Sequence, residues 1–311
     1  MIALTHTGGQ TWAVFGLARS GLATARALVA GGAQVRLWDD NEAARMAAEA
    51  AGLTTMPLYD ASLSGCAGLS LAPGVPLTHP VPHDVVAAAA RVSVPVVGDI
   101  ELLLRELRPV VYGVTGTNGK STTTALLAHV LTQARRTVAL GGNIGTPVLD
   151  LPRFENDGGV YVLEMSSYQI DLTPGWHARI AVLLNITPDH LDRHGSMADY
   201  ADAKSRIFYG GGAQVLNRED RYSLAMAIPG RKRITFGLDA APDSDDFGLL
   251  RLAGETWLAQ GTPPQVEAAL ADLNQRLGTN LTLNSQQMLW TWAENVYTDT
   301  SLGCPQPGQA Y

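Results

Sequence analysis

Residues 113–124 read GVTGTNGKSTTT, a glycine-broken turn that runs directly into a lysine and a row of hydroxyl side chains. Glycines let backbone N–H groups turn inward around phosphate oxygens, Lys120 adds a positive charge, and the Ser121 hydroxyl suits a Mg²⁺ ion. The segment reads as a nucleotide-phosphate cradle, with Lys120 at the β- and γ-phosphates. The strict pattern has glycine five positions before Gly119; here that position is Val114, flanked by Gly113 and Gly116, so the spacing is a variant. A loop of this kind joins a strand to a helix, which commits its surroundings to an α/β arrangement.

The flanking sequence agrees. TWAVFGL at 11–17 predicts a strand, SGLATARALVAGG a helix with a glycine stop, and AQVRLWDD the next strand, a βαβ unit. Apolar runs at 68–72 and 92–97 continue the alternation, and VPVVGDIELLLRELRP leads toward the strand VVYGVTG, which places a domain boundary near residue 97. Beyond it the pattern predicts the phosphate loop, a helix over 120–134, and strands at 137–140, 160–167 and 180–186, hence a mostly parallel sheet. From about residue 262 the pattern changes to one amphipathic helix carrying Val266, Leu270, Leu273 and Leu277, followed by a Trp-rich stretch. The domains expected are therefore 1–97, 98–261 and an unassigned tail, 262–311.

A chain of 311 residues has room for about two such domains with their own cores. A formal charge of −7 without a basic tract argues against a nucleic-acid partner. Cys66 and Cys304 are too few and too far apart for a disulfide framework or a CxxC metal site. With no leader-like N-terminus and no run of about 18 apolar residues, a soluble cytoplasmic protein without a membrane partner is expected.

Gly16-x-Ala18-x-x-Gly21, with Asp39 at the end of the second strand, imitates a dinucleotide fingerprint. Ala18 replaces the glycine whose missing side chain lets a pyrophosphate approach the backbone. NAD, another nucleotide and a purely structural turn all stay open on these residues.

Four polar stretches fall at the ends of apolar strands, the edge where open α/β sheets place ligands. The phosphate loop is the first. Glu164 closes an apolar strand, either simply solvated or a Mg²⁺ ligand, direct or through water. In NITPDHLDRHGSMADYADAKSRIF, residues 185–208, the side chains of Asp189, His190, Asp192, Arg193 and His194 crowd a strand end. A helix start capped by Thr187 or Asp189, with Pro188 in its first turn, accounts for part of this. His190 admits a structural role, metal ligation or a hydrogen bond to a carbamate. Lys204, on the helix that follows, reads as solvent-facing. Asn143, in GGNIGTPVLD, signals by itself only a turn.

Taken together, GVTGTNGKSTTT, GGNIGTP, LEMSSYQID and NITPDHLDRHGSMADYADAKSRIF resemble the Mur ligase family of peptidoglycan synthesis. FGLARSG, LAPGVPLTHP and VVGDIELLLR are similar to the branch that adds D-glutamate to UDP-N-acetylmuramoyl-L-alanine; the resemblance spans roughly residues 10–260. It implies a Rossmann-like UDP-binding domain followed by a phosphate-loop domain, a cytoplasmic role in cell-wall biogenesis, cell shape and division, and ATP with Mg²⁺. It also implies phosphorylation of a carboxylate by ATP, then attack of an amine on the acyl phosphate. On the matching positions, Gly116, Thr117, Asn118, Gly119, Lys120, Ser121 and Thr122 hold ATP. Ser121 and Glu164 resemble ligands of one Mg²⁺, and His190 a residue at a second. Lys204 matches a lysine that the family carbamylates, and Lys120, His190 and Lys204 form the catalytic set. Asn143 and Ser166 match substrate-side contacts, while Ala18, Arg19, Ser20 and Asp39 match the uridine end. Another ATP-dependent amide ligase, such as a folylpolyglutamate synthase, and a non-catalytic nucleotide-binding remnant are the alternatives.

The family's pattern continues into a G-x-H-N-x-x-N segment that seats adenine and a third domain that holds D-glutamate. Residues 262–311 align with neither. The expectation is a chain with both nucleotide sites, without the D-glutamate pocket, and with impaired amide formation.

Overall fold

The computed structural model describes residues 1–154, 158–252 and 255–277. Cys304 and the Trp-rich stretch lie outside the described residues. The expected α/β architecture is the one the chain adopts. Its elements begin with β1 (Thr11–Phe15), α1 (Arg19–Ala30), β2 (Gln34–Trp38), α2 (Glu42–Ala50), α3 (Asp60–Leu63), β3 (Gly68–Leu71), α4 (Asp84–Arg91) and β4 (Val96–Val97). These strands form a parallel sheet in the order β2-β1-β3-β4. The order reverses direction beside β1, so the turn after β1 opens onto the crevice where such sheets bind ligands.

That turn shows why β1 stops at Phe15 instead of running to residue 17. Gly16 has φ +92°, and a Cβ there would overlap the Cβ of Ala72 in the loop after β3, so both conformation and space demand glycine. Asp39, just past β2, closes the turn: one carboxylate oxygen accepts from Leu17 N (2.6 Å) and the other from Asn41 N (2.8 Å).

The chain continues through α5 (Asp99–Leu107), β5 (Val110–Thr115), α6 (Lys120–Gln133), β6 (Val138–Gly142), β7 (Val160–Glu164), α7 (Ser167–Asp171), β8 (Ile180–Leu183), α8 (Leu191–His194), α9 (Met197–Ser205), β9 (Ala213–Asn217) and α10 (Arg221–Ala225). The strands lie parallel in the order β9-β8-β5-β7-β6, with β5 at the centre. Two expected strands end early. β7 stops at Glu164 because Ser166 caps α7, its Oγ accepting from Gln169 N (3.2 Å) in a capping box. β8 stops at Leu183.

The caps expected after β8 are also corrected. Neither Thr187 nor Asp189 caps a long helix, and Pro188 does not lie in a first turn. The Thr187 amide is drawn to Thr117 Oγ1 (3.0 Å), and Asp189 accepts from the adjacent His190 N (2.9 Å). The chain turns left-handed at His190 (φ +51°) before the short α8, and Ser196 caps α9.

Both sheets belong to one compact unit, residues Met1–Leu216 with Asp220–Arg233. One continuous apolar cluster joins them, including Trp12, Val14 and Leu28 from the first sheet region, Ile100, Leu102 and Leu103 from α5, and Tyr161 and Leu163 from β7. Burying large aliphatic and aromatic side chains in this way supplies the main driving force for the unit, at about 1.5–3 kcal/mol per side chain. A second unit, Asn217–Glu219 and Ile234 onward, contains most of β10 (Arg233–Phe236), β11 (Phe247–Leu252), β12 (Glu255–Gln260) and α11 (Pro263–Leu277). β11 and β12 form an antiparallel hairpin whose Leu250, Trp257 and Ala259 pack with Val266 of α11, matching the helix expected there.

Within the first unit a carboxylate fastens the N-terminus to α5. Glu106 accepts from Thr5 Oγ1 (2.7 Å), His6 N (3.2 Å) and Arg153 (3.3 Å), and its Oε2 lies 2.7 Å from His6 Nδ1. Burial alone would raise its pKa; the bonds from Thr5, His6 and Arg153 outweigh that and hold it near about 2, against 4.5 for an ordinary glutamate. A carboxylate depressed in the fold stabilises it above the unfolded value, and that contribution is lost as pH falls from 4.5 toward 2. Glu106→Gln should therefore melt below the wild type at neutral pH, with the gap closing through that acid window. A gap independent of pH would show that the clamp is not ionic.

Candidate active site

At the C-terminal end of β5 the chain enters the phosphate loop, and α6 starts at Lys120 with Gly119 (φ +82°) as an N-cap that has no capping side chain. The first-turn amides of α6 thus have no acceptor within the helix, the arrangement that receives an anion. The loop is held from behind by the segment after β8. Thr117 N donates to Asn185 O (2.9 Å) and Asn118 N to Asn185 Oδ1 (2.9 Å), while Asn185 Nδ2 donates to Asn118 O (3.1 Å). Thr117 Oγ1 donates to Thr187 O (3.1 Å), accepts from Thr187 N, and lies 3.1 Å from the Tyr200 hydroxyl. Asn118 Nδ2 reaches Thr187 Oγ1 (3.3 Å). Of the expected ATP residues, Thr117 and Asn118 thus spend their amides and side chains on the protein. Gly119, Lys120, Ser121 and Thr122 face outward at the start of α6, with Ser121 and Thr122 exposed. Gly116 lies against Leu184 and Asn185. Lys120 Nζ rests on Thr117 O (2.8 Å).

Glu164 ends the neighbouring strand β7 and is 1% exposed. Its Oε1 accepts from Asn143 Nδ2 (2.9 Å), and its backbone O from Asn143 N (2.9 Å). Asn143 follows Gly142, where a Cβ would collide with Glu164 O, so the glycine lets this turn wrap the carboxylate. The second oxygen, Oε2, is buried with no hydrogen-bond partner among the described residues. Leaving such an oxygen unpaired costs on the order of 1–3 kcal/mol or more, and a cation or its bound water removes that cost. Among the described residues no three His, Cys, Asp or Glu side chains converge as a metal cage. A single orphaned carboxylate oxygen is a donor of the kind a hard cation such as Mg²⁺ takes, its other positions being open to water and phosphate oxygens.

Lys204 corrects the sequence reading outright: it is 2% exposed, not solvent-facing. It follows Tyr200 by four residues on α9, on the face that buries Tyr200, Ala201 and Ala203. Its Nζ donates to Gly116 O (2.9 Å) and Thr115 Oγ1 (3.3 Å) and sits 4.9 Å from the centre of the Tyr200 ring. Burial, then the positive charge of Lys120, pushes its pKa down to about 7, against the pull of Asp189 and Glu164. Phosphate loop, β7 end and the 185–204 segment therefore converge around one buried amine.

The remaining expected residues are placed differently. His190 is half exposed, its Nε2 3.4 Å from Asp189 Oδ2 and its ring centre 5.2 Å from that of Tyr168. Ser166 caps α7. Ala18 is exposed at the start of α1, the Ser20 carbonyl accepts from Thr24 Oγ1 (2.9 Å), and Arg19 donates to the carbonyl of Gly145. Sequence reasoning did not assign Asn185, Thr187, Tyr200 or His194 to the site. His194 is buried, its Nε2 2.8 Å from Ser167 Oγ. Burial first, then the charges of Lys204, His190, Arg193 and Arg206, lowers its pKa to about 4, so it is a neutral hydrogen-bonding group at neutral pH. Its position four residues after His190 was visible, but nothing local marked the ring as buried.

The chain is similar to known proteins. Residues 114–251 match the Mur ligase middle domain. The chain is 46% identical over 282 residues to the UDP-N-acetylmuramoylalanine–D-glutamate ligase of Phenylobacterium zucineum (strain HLK1), a match that covers 87% of this chain and 60% of that protein. It belongs to the Mur ligase family. The corresponding ligase of Rhizobium meliloti (strain 1021) is 50% identical over 233 residues, 73% of this chain and 50% of that protein. The chain thus spans between half and three fifths of these relatives. Among solved structures, the UDP-N-acetylmuramate:L-alanyl-gamma-D-glutamyl-meso-diaminopimelate ligase from Neisseria meningitides superposes with a TM-score of 0.51 at 17% identity. That match covers 81% of this chain and 84% of that one, a likeness of fold. No helix among the described residues is long and apolar enough to cross a membrane.

The pKa of Lys204 makes a stability prediction for this family member. The unfolded chain binds the lysine proton up to 10.5, the fold only to about 7, so the fold is penalised below about 7 and the penalty fades as pH rises toward 10.5. Lys204→Met, which keeps the length and removes the charge, should gain in melting temperature relative to the wild type most at about pH 6 and least near 10. A difference that stays constant over that range would contradict the buried amine.

Proposed function

We propose that this chain carries the ATP and UDP-substrate sites of a UDP-N-acetylmuramoyl-L-alanine:D-glutamate ligase. The observation that carries the reading is the junction of the phosphate loop, the unpartnered Glu164 oxygen and the near-neutral Lys204 at one sheet edge, in a chain about half identical to such ligases. Residues 1–97 would hold the uridine end, near Ala18, Arg19, Ser20 and Asp39, and residues 98–261 the ATP. We assign no residue of 262–311 a role.

In the first half-reaction the alanine carboxylate attacks the γ-phosphorus of ATP; the bond to the β–γ bridging oxygen breaks and ADP leaves. Lys120 leaves its resting contact with Thr117 O to meet the β- and γ-phosphates, and the free first-turn amides of α6 receive their oxygens. Ser121 and Glu164 would hold a Mg²⁺, which when bound neutralises phosphate charge. Asn143, which donates to Glu164, and Ser166 would contact the substrate, and His190 would lie at a second metal ion. A neutral Lys204 amine has the lone pair needed to form a bond to the carbon of CO₂, its nitrogen losing a proton to water, and the carbamate would add a second anionic ligand where the fold otherwise has an amine. In the second half-reaction the amine of D-glutamate attacks the acyl phosphate and phosphate departs, leaving the amide. The D-glutamate pocket is proposed to lie outside residues 10–260. ATP and UDP-linked precursors are cytoplasmic, which sets the reaction there.

Phosphate release decides the matter. With ATP and Mg²⁺ it should require UDP-N-acetylmuramoyl-L-alanine, be indifferent to D-glutamate, and vanish in Lys120→Ala with the fold intact. Stimulation by a folate instead would transfer the chain to another amide ligase group. Absence of binding to both would make it a nucleotide-binding remnant. D-Glutamyl product formed above about 1 per second would place the D-glutamate pocket in this chain after all.

A further inference from the structure

Arg193 takes part in none of these steps. It lies on α8, between His190 and Lys204 in sequence, yet its guanidinium reaches the first sheet. One arm donates to Gly74 O (2.9 Å), the other to Val75 O (3.1 Å), and its Cζ sits 4.6 Å over the Tyr168 ring. A planar fork is the one side chain that grips two successive carbonyls this way while stacking on an aromatic face; a lysine offers a single point.

The loop it grips follows β3, at the ligand edge of the first sheet. At its near end Ala72 N donates to Phe15 O (2.9 Å), and Ala72 packs so closely on the first glycine turn that Gly16 admits no side chain. At its far end His79 lies against Gly195, where a Cβ would come within 3.2 Å of His79 Nε2. Pro73, Val75, Leu77 and Thr78 close on Tyr168 and Leu172 of the second sheet's side, leaving only a narrow cleft. Residues 72–79 thus run from the first glycine turn to the start of α9, pinned mid-way by Arg193.

We propose that Arg193 is a positioning residue that sets the span between the first glycine turn and the Glu164–Lys204 edge. Its function is to fit one ligand long enough to touch both, a nucleoside diphosphate sugar ending in a carboxylate. The identity of that ligand rests on the reading given under Proposed function; the strap itself does not.

Two measurements test it on the whole chain. Calorimetry compares UDP, ATP and UDP-N-acetylmuramoyl-L-alanine with the wild type, Arg193→Ala and Arg193→Lys, and with Arg91→Ala, which breaks an exposed surface pair with Asp60. Removing two charge-assisted hydrogen bonds should weaken the spanning ligand by about tenfold or more in Arg193→Ala, only partly restored in Arg193→Lys. UDP and ATP, which each touch one end, should bind within about twofold of the wild type, and millimolar guanidinium should recover part of the loss. Equal losses for all three ligands, or none for the spanning one, would overturn the proposal. The second measurement needs no ligand: spin labels at Val81→Cys, on the strap's exposed continuation, and His129→Cys, on α6, with Cys66 and Cys304 replaced by serine. Arg193→Ala should broaden the distance distribution, and an unchanged distribution would overturn the strap. A wild type that binds no UDP-N-acetylmuramoyl-L-alanine but shows the broadening would defeat the functional reading alone.

Discussion

The bond from Lys204 Nζ to Gly116 O is the contact on which the site depends. It draws the end of α9 against the phosphate loop, and it does so with a group that resists burial as a cation. The surroundings answer that difficulty. Thr115 and Gly116 supply acceptors, the Tyr200 ring lies beside the amine, and Asp189 and Glu164 add negative charge at a distance. The hydrogen bonds of Asn185 and Thr187 then fix Thr117 and Asn118 from the same side. The loop is consequently shaped by the protein before any nucleotide arrives, which is what preorganised binding of a phosphate chain requires.

Much of this construction was legible in the chain and some of it was not. The phosphate loop announces itself because glycine, lysine and hydroxyl residues at that spacing have few other uses. The parallel strands follow from short apolar runs separated by helical patterns. Lys204 shows the limit: one lysine on a polar-looking helix reads as solvated, and only the packing of Tyr200 and Ala203 on the same face reveals it as buried. The caps after β8 failed for a related reason. Thr187 and Asp189 are good capping residues in isolation, but tertiary bonds to Thr117 and a left-handed His190 took their backbone out of helix geometry. Arg193 was visible only as one of the charges crowded after β8; its role was not, since its partners are backbone carbonyls 118 and 119 positions away.

The first glycine turn illustrates how a familiar motif is put to another use. Ala18 in place of glycine left several ligands open, and the structure adds that Asp39 spends one oxygen on the Leu17 amide of the turn and the other on the amide of Asn41. Its carboxylate shapes the crevice directly, and any contact with a ribose would come on top of that work. Arg19 likewise reaches across to the Gly145 carbonyl, beside the Asn143 turn that wraps Glu164. The two ligand edges are thereby tied together on this side by Arg19 and on the other by Arg193.

We infer that the unpartnered oxygen of Glu164 receives the cation that ATP brings with it. Calorimetric titration of ATP into the wild type and Glu164→Gln, with Mg²⁺ and with a chelator, tests it most directly. Mg²⁺ should tighten ATP binding to the wild type by about tenfold or more, a gain of about 1.4 kcal/mol, and most of that gain should be missing in Glu164→Gln while the affinity in chelator is kept. An equal Mg²⁺ effect in both proteins would mean that Glu164 does not hold the cation.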